Sequence, residues 1–116
     1  MTTLDIGHRA EASACDFLTR RGLTFVAQNY RCRLGEIDLI MQDKQTLVFV
    51  EVRYRQNKHF GDSIESVTWT KQQKIIRTAE HYLQHQHLAH TPECRFDVLG
   101  FSASDVTWIQ DAFQLG

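Results

Sequence analysis

Apolar positions recur every three or four residues in two stretches of this chain and every second residue in five others, so the pattern alternates between helix and strand. Ala10, Ala14, Phe17 and Leu18 make the stripe of a first helix, which Thr3 or Asp5 can cap and which runs to about Arg21. Arg20 and Arg21 put cations in its last turn, and Gly22 stands where a helix wants a left-handed residue. Leu23 to Gln28 reads as a short strand, with 29–33 as a connection. Glu36 to Met41 and Thr46 to Tyr54 read as a hairpin about a turn at 42–45. A polar loop over 55–63 follows. Ile75, Ile76, Ala79, Tyr82 and Leu83 then mark a second helix over 70–86, and 95–101 and 106–109 are the last strands. The order is α-β-β-β-α-β-β. The first strands can meander, and the second helix can carry the chain to a parallel neighbour, which predicts an α/β fold with a central mixed β-sheet flanked by helices.

The hairpin carries its acids inside apolar runs, Gly35-Glu36-Ile37-Asp38-Leu39-Ile40 and Val48-Phe49-Val50-Glu51-Val52-Arg53. An acid in such a run is costly unless something cationic compensates it. Pairing about Asp43 and Lys44 sets Glu36 opposite Glu51 and Asp38 opposite Phe49, with Arg53 on the same face. Three carboxylates beside one guanidinium repel one another unless a cation sits among them, and a hard divalent ion such as Mg²⁺ (or Mn²⁺) suits their oxygens. Glu11 borders the inward face of the first helix and is a further candidate.

Composition narrows the class. At 116 residues, 42% hydrophobic and 23% charged, the chain fits one globular domain spanning 1–116. No stretch has membrane-spanning length and no leader pattern opens it. Cys15, Cys32 and Cys94 form no Cys-x-x-Cys pair, and a reducing cytoplasm is the expectation. The net charge of −1 argues against a strongly basic nucleic-acid binder, but the charge is uneven. Residues 20–77 hold eleven Lys or Arg against six Asp or Glu, while 80–116 hold one against five. The middle of the chain can therefore accommodate a polyanion. His81 and His85 lie one helical turn apart but lack the glutamate of a metalloprotease helix, so a hydrophilic helix end is preferred to a zinc site there. Asp97, between Phe96 and Val98, is a candidate buried acid paired to an arginine.

At Gly7-x-x-x-Glu11, the two hairpin motifs, Phe60-Gly61 and Arg95-Phe96-Asp97-Val98, nearly the whole chain resembles the YraN-like family. These are small, uncharacterised bacterial proteins assigned to the restriction-endonuclease-like superfamily. The resemblance implies that fold, and a pattern of a helical Glu, a strand acid and then acid-x-Lys. Glu11, Asp38 and Glu51 match the acids, and Arg53 stands where the superfamily usually has lysine. A guanidinium stabilises phosphate charge but is a poor general base. Lys71 or Lys74 of the second helix could supply the missing amine.

The resemblance thus implies a metal-dependent nuclease acting on DNA more readily than RNA, including branched or damaged DNA. Asp38 and Glu51 would hold the ion, with the Val52 carbonyl and Glu11 assisting. Arg53 and Lys71 would be catalytic, and Glu36 would hold an outer water or orient Arg53. The alternative is a non-catalytic nucleic-acid-binding module of the same fold, resting on Arg31, Arg33, Arg55 and Lys58 around an Arg53 ion cluster. A third reading is a protein-interaction module using the acidic C-terminal half. Many nucleases of this fold pair up, which admits a homodimer, although no sequence feature marks a dimer surface.

Overall fold

The computed structural model describes residues 3–54, 67–86, 91–102 and 105–114, with side chains from residue 11 onward. The elements are α1 (Thr3–Arg20), β1 (Thr24–Cys32), β2 (Gly35–Asp43), β3 (Thr46–Tyr54), α2 (Trp69–His85), β4 (Glu93–Phe101) and β5 (Val106–Phe113). They form a five-stranded sheet in the order β1-β2-β3-β4-β5. Only β3 and β4 are parallel, joined through α2; the other neighbours are antiparallel. The expected α/β fold and element order are the ones observed.

Each face of the sheet receives one helix. On one side, Leu39, Met41, Val48, Val50 and Leu99 pack with Ala14 and Leu18 of α1. On the other, Ile40, Leu47, Phe49, Phe96 and Val98 pack with Ile75, Ile76, Ala79 and Tyr82 of α2. Phe49 is the hub of the second core. It stacks on Phe96 at 5.4 Å between centroids and meets Tyr82 edge-on at 6.1 Å. β3 is therefore covered on both faces and paired on both edges, which suits its run of β-branched residues. Thr68 caps α2, its hydroxyl accepting the Lys71 amide hydrogen bond at 3.3 Å. At the start of β2, Gly35 lies so close to α2 that a Cβ there would meet the Thr78 hydroxyl at 2.9 Å.

Three expectations are corrected. The hairpin turn is Lys44–Gln45 alone, because Asp43 pairs with Thr46, and Lys44 enters the left-handed region at φ 56°. The register consequently moves by two residues, and Ile40, not Asp38, lies opposite Phe49. An even shift by itself leaves each residue on its face, so the register error does not separate Glu51 and Arg53 from Asp38. Third, β1 continues through the supposed connection to Cys32, and β5 continues past Ile109 to Phe113. The loop over 55–63, with Arg55 and Lys58, lies outside the described residues.

Candidate functional site

The ladder between β2 and β3 runs from Asp43–Thr46 to Leu39–Val50. One step on, the count sets Asp38 beside Glu51. There a side chain takes over from the backbone: Asp38 Oδ2 accepts the Val52 N–H at 2.8 Å. The neighbouring strand is irregular at the same level. Asn29 of β1, which falls between the pairs Gln28–Leu39 and Tyr30–Ile37, has φ 53°. Ile37 and Ile40 both join the α2-side core, although strict alternation would send them to opposite faces. Such irregularities re-aim side chains, and here the strand departs from alternation around Asp38.

Asp38, Glu51 and Arg53 come together. Arg53 Nη2 lies 3.1 Å from Glu51 Oε1, with only 22% and 13% of the two side chains exposed. Arg53 Nε is buried and has no hydrogen-bond partner among the described residues. Burial raises Glu51 from its ordinary value to about 8, reinforced by the Asp38 charge and by a hydrogen bond with the Asp38 carboxyl. Arg53 and Lys71 oppose that rise. Burial likewise raises Asp38 to about 6, against the pull of the Val52 N–H; Glu11 and Glu36 push it up and Arg53 draws it down. The pair as a unit therefore binds a proton more readily than free carboxyls do. Both helices reach the site electrostatically: Glu11 from α1 acts on Asp38, and Lys71 from α2 acts on Glu51.

The remaining candidates are placed less centrally. Glu36 pairs with Arg31 at 3.3 Å, so two carboxylates converge rather than three. Arg31 is largely exposed on β1, and Arg33 is exposed in the turn before β2. Val52 contributes its amide to the site, through Asp38. Lys74 lies against Gly35. Among the described residues no group of three His, Cys, Asp or Glu side chains is arranged to hold a metal ion. The two-carboxylate donor set nonetheless fits Mg²⁺, which is commonly held by one or two carboxylates with water and substrate phosphate completing its shell.

Away from this site, Arg95, Asp97 and Asp43 form a second charged cluster. Asp97 is fully buried and accepts from Arg95 Nε at 3.0 Å, Trp108 Nε1 at 2.9 Å and the Asp111 amide at 2.9 Å. Arg95 also reaches Asp43 at 2.8 Å, so Asp97 is the arginine-paired acid that its position suggested. The signal for that pair was Arg95-x-Asp97, whose period-two spacing puts both on one face. Asp43, fifty-two residues away, carried no signal. On α2, the His81 and His85 rings stack at 4.1 Å; His81 Nδ1 meets the Tyr30 hydroxyl at 2.6 Å, and His85 Nδ1 meets the His81 carbonyl at 2.8 Å. No described helix is long and apolar enough to cross a membrane.

Comparison with known proteins places this geometry in a family without assigning its chemistry. A family model described as "Uncharacterised protein family UPF0102" matches residues 10–101. A UPF0102 protein of Nitrosococcus oceani is 49% identical, covering 98% of this chain and 95% of its own length. A Coxiella burnetii relative is 46% identical over 97% of this chain and 95% of its own. One from Francisella tularensis is 43% identical over 97% of each.

Proposed function

We propose that this chain, which belongs to the uncharacterised protein family UPF0102, is a metal-dependent nuclease acting on DNA or RNA, with Asp38 and Glu51 at its centre. One observation carries the reading: the half-buried Asp38 and Glu51 carboxylates converge where the β2–β3 ladder ends, with the Arg53 guanidinium 3.1 Å from Glu51. Acids whose ionisation is disfavoured by burial and by one another cluster at functional sites, and a cation among their oxygens would relieve the repulsion. A divalent ion held there would supply Lewis acidity toward a scissile phosphate and make water a better nucleophile at neutral pH.

The chain's own groups have separable roles. Asp38 and Glu51 provide the oxygen ligands, and the Val52 N–H fixes the orientation of the Asp38 carboxylate. Glu11 on α1 and the Val52 carbonyl are the candidates to complete the ligand set. Arg53, with an unpartnered buried Nε, offers a donor that a phosphate oxygen would satisfy as charge builds in the transition state. Lys71 adds positive charge from α2, and Glu36 reaches the site only through its charge on Asp38. Phosphate contacts from Arg31, Arg33, Arg55 and Lys58 would position the strand.

The Arg53–Glu51 ion pair also favours a second reading, a binding module in which the cluster is structural. The test is incubation with labelled single-stranded, duplex and four-way-junction DNA in Mg²⁺ or Mn²⁺, alongside Asp38→Asn and Glu51→Gln. The nuclease reading expects metal-dependent cleavage that falls at least about a hundredfold in each variant, since even outer partners of a metal site cost ten- to hundredfold. Cleavage unchanged in both variants sinks the site. Salt-sensitive binding without cleavage establishes the second reading.

A further inference from the structure

The first turn of α2 carries an aromatic ring that the core leaves unused. Trp69 extends the inward stripe of Gln72, Ile76 and Ala79 backward, yet it is 71% exposed, more than any other large apolar side chain among the described residues. Val67, two residues earlier, is buried in the α2-side core, so the start of the helix is anchored there while the Trp69 ring faces solvent. Tyr82 packs on Phe49 in the middle of β3, while Lys74 and Thr78 lie against Gly35 at the start of β2. The helix therefore advances from the Gly35 end of the sheet toward the hairpin turn. Trp69, five residues ahead of Lys74, lies about 7 Å beyond it at the helical rise. Helical side chains also lean toward the N-terminus, which carries the ring further out. Lys71, two residues later in the same turn, acts electrostatically on Glu51, so this turn of α2 lies toward the end of the sheet that carries Glu51 and Arg53. Tyr54, 41% exposed, ends β3 on the opposite face from Arg53 by strand alternation.

We infer that Trp69 is a stacking platform for an unpaired base, so that the nucleic acid taken by this site is single-stranded or locally unpaired beside the phosphate that Arg53 meets. The inference rests on the nucleic-acid reading of the site. A duplex presents phosphates to Arg53 and Lys71 but no free base face to an indole, because its bases are stacked on one another and must be unstacked at a cost. A single strand presents both. Stacking on an aromatic ring is open to every base, which matches a platform that carries no hydrogen-bonding readout beyond the indole N–H.

The test titrates wild type, Trp69→Ala and Trp69→Phe in EDTA with a single strand, the matched duplex and a duplex containing an unpaired bulge. The expected result is a loss of roughly five- to a hundredfold in affinity of Trp69→Ala for the single strand and the bulge, with less than about twofold for the duplex. Trp69→Phe recovers most of the affinity. Tryptophan emission of the wild type is quenched by the single strand, and this quench is absent in Trp69→Phe, where Trp108 alone remains. Unfolding temperatures of the variants match the wild type, because the ring is exposed. Equal losses on single strand and duplex, or none on either, overturn the platform while leaving the nuclease reading to the Asp38 and Glu51 variants. A wild type that binds no nucleic acid, in EDTA or with Ca²⁺ in its place, overturns both.

Discussion

Asp38 and Glu51 both bind protons more tightly in the folded chain than in water, because burial and each other's charge disfavour ionisation. The consequence for stability has a definite sign. Both groups titrate higher in the folded chain than in the unfolded one, so their contribution is fully present below their ordinary values of 3.8 and 4.5. It is lost as pH rises through about 6 and about 8. Glu51→Gln keeps the shape and removes the upper step. Chemical denaturation across pH 5 to 9 should show wild type weakening over this range, and the variant more stable than wild type at the alkaline end by roughly 2 kcal/mol or more. Mg²⁺ should raise the wild-type unfolding temperature more at pH 8 than at pH 6, since proton and cation compete for the same oxygens, and should not raise that of Glu51→Gln. A wild-type profile flat with pH would contradict this tighter proton binding.

Between elements, buried Asp97 plays the part at β4–β5 that Asp38 plays at β2–β3. Phe96 pairs with Phe113 but Val98 with Ile109, leaving β5 a surplus of residues, and Asp97 accepts the amide of Asp111 within that surplus. Asp97→Ala would leave Arg95 with Asp43 alone and strip the Trp108 and Asp111 donors of their acceptor. The expected cost is about 3–5 kcal/mol, and Asp97→Asn should lose less, both read from urea midpoints. The same comparison explains what could be read in advance. The α2 stripe and the shared face of Glu51 and Arg53 follow from period alone, which is why they survived a register error of two residues; the break in alternation around Asp38 does not. The tight turn was hidden because Lys44-Gln45 has none of the Asn-Gly or Gly chemistry that announces one. The far half of β1 was hidden because an edge strand needs no alternating apolar face: Gln28, Asn29 and Arg31 sit in it without cost. Trp69 was counted outside the helix, and only the position of α2 against Gly35 gives it a role.

At the scale of the molecule, stability is graded from the centre of the sheet outward. β3 has strand neighbours on both sides and a helix on each face, whereas β1 and β5 are edges with mostly solvent-facing side chains. Native-state hydrogen exchange should find the amides of Val48, Phe49 and Val50 among the last to exchange, close to the global unfolding limit, and those of β1 well ahead of them. The candidate site lies on the same strand as the slowest amides, only a step from them, so its ligands ride on the stiffest part of the fold. Its other wall is different in kind. Where α2 passes Gly35, the approach of helix to sheet is set by a missing methyl group, since any Cβ would press on Thr78. That glycine acts as a spacer gauge: it sets how closely α2 approaches the start of β2 without carrying a charge, a proton or a ligand. Spacing and charge are thereby written in different residues, and the distance of α2 from the sheet can be altered while Asp38, Glu51 and Arg53 stay in place.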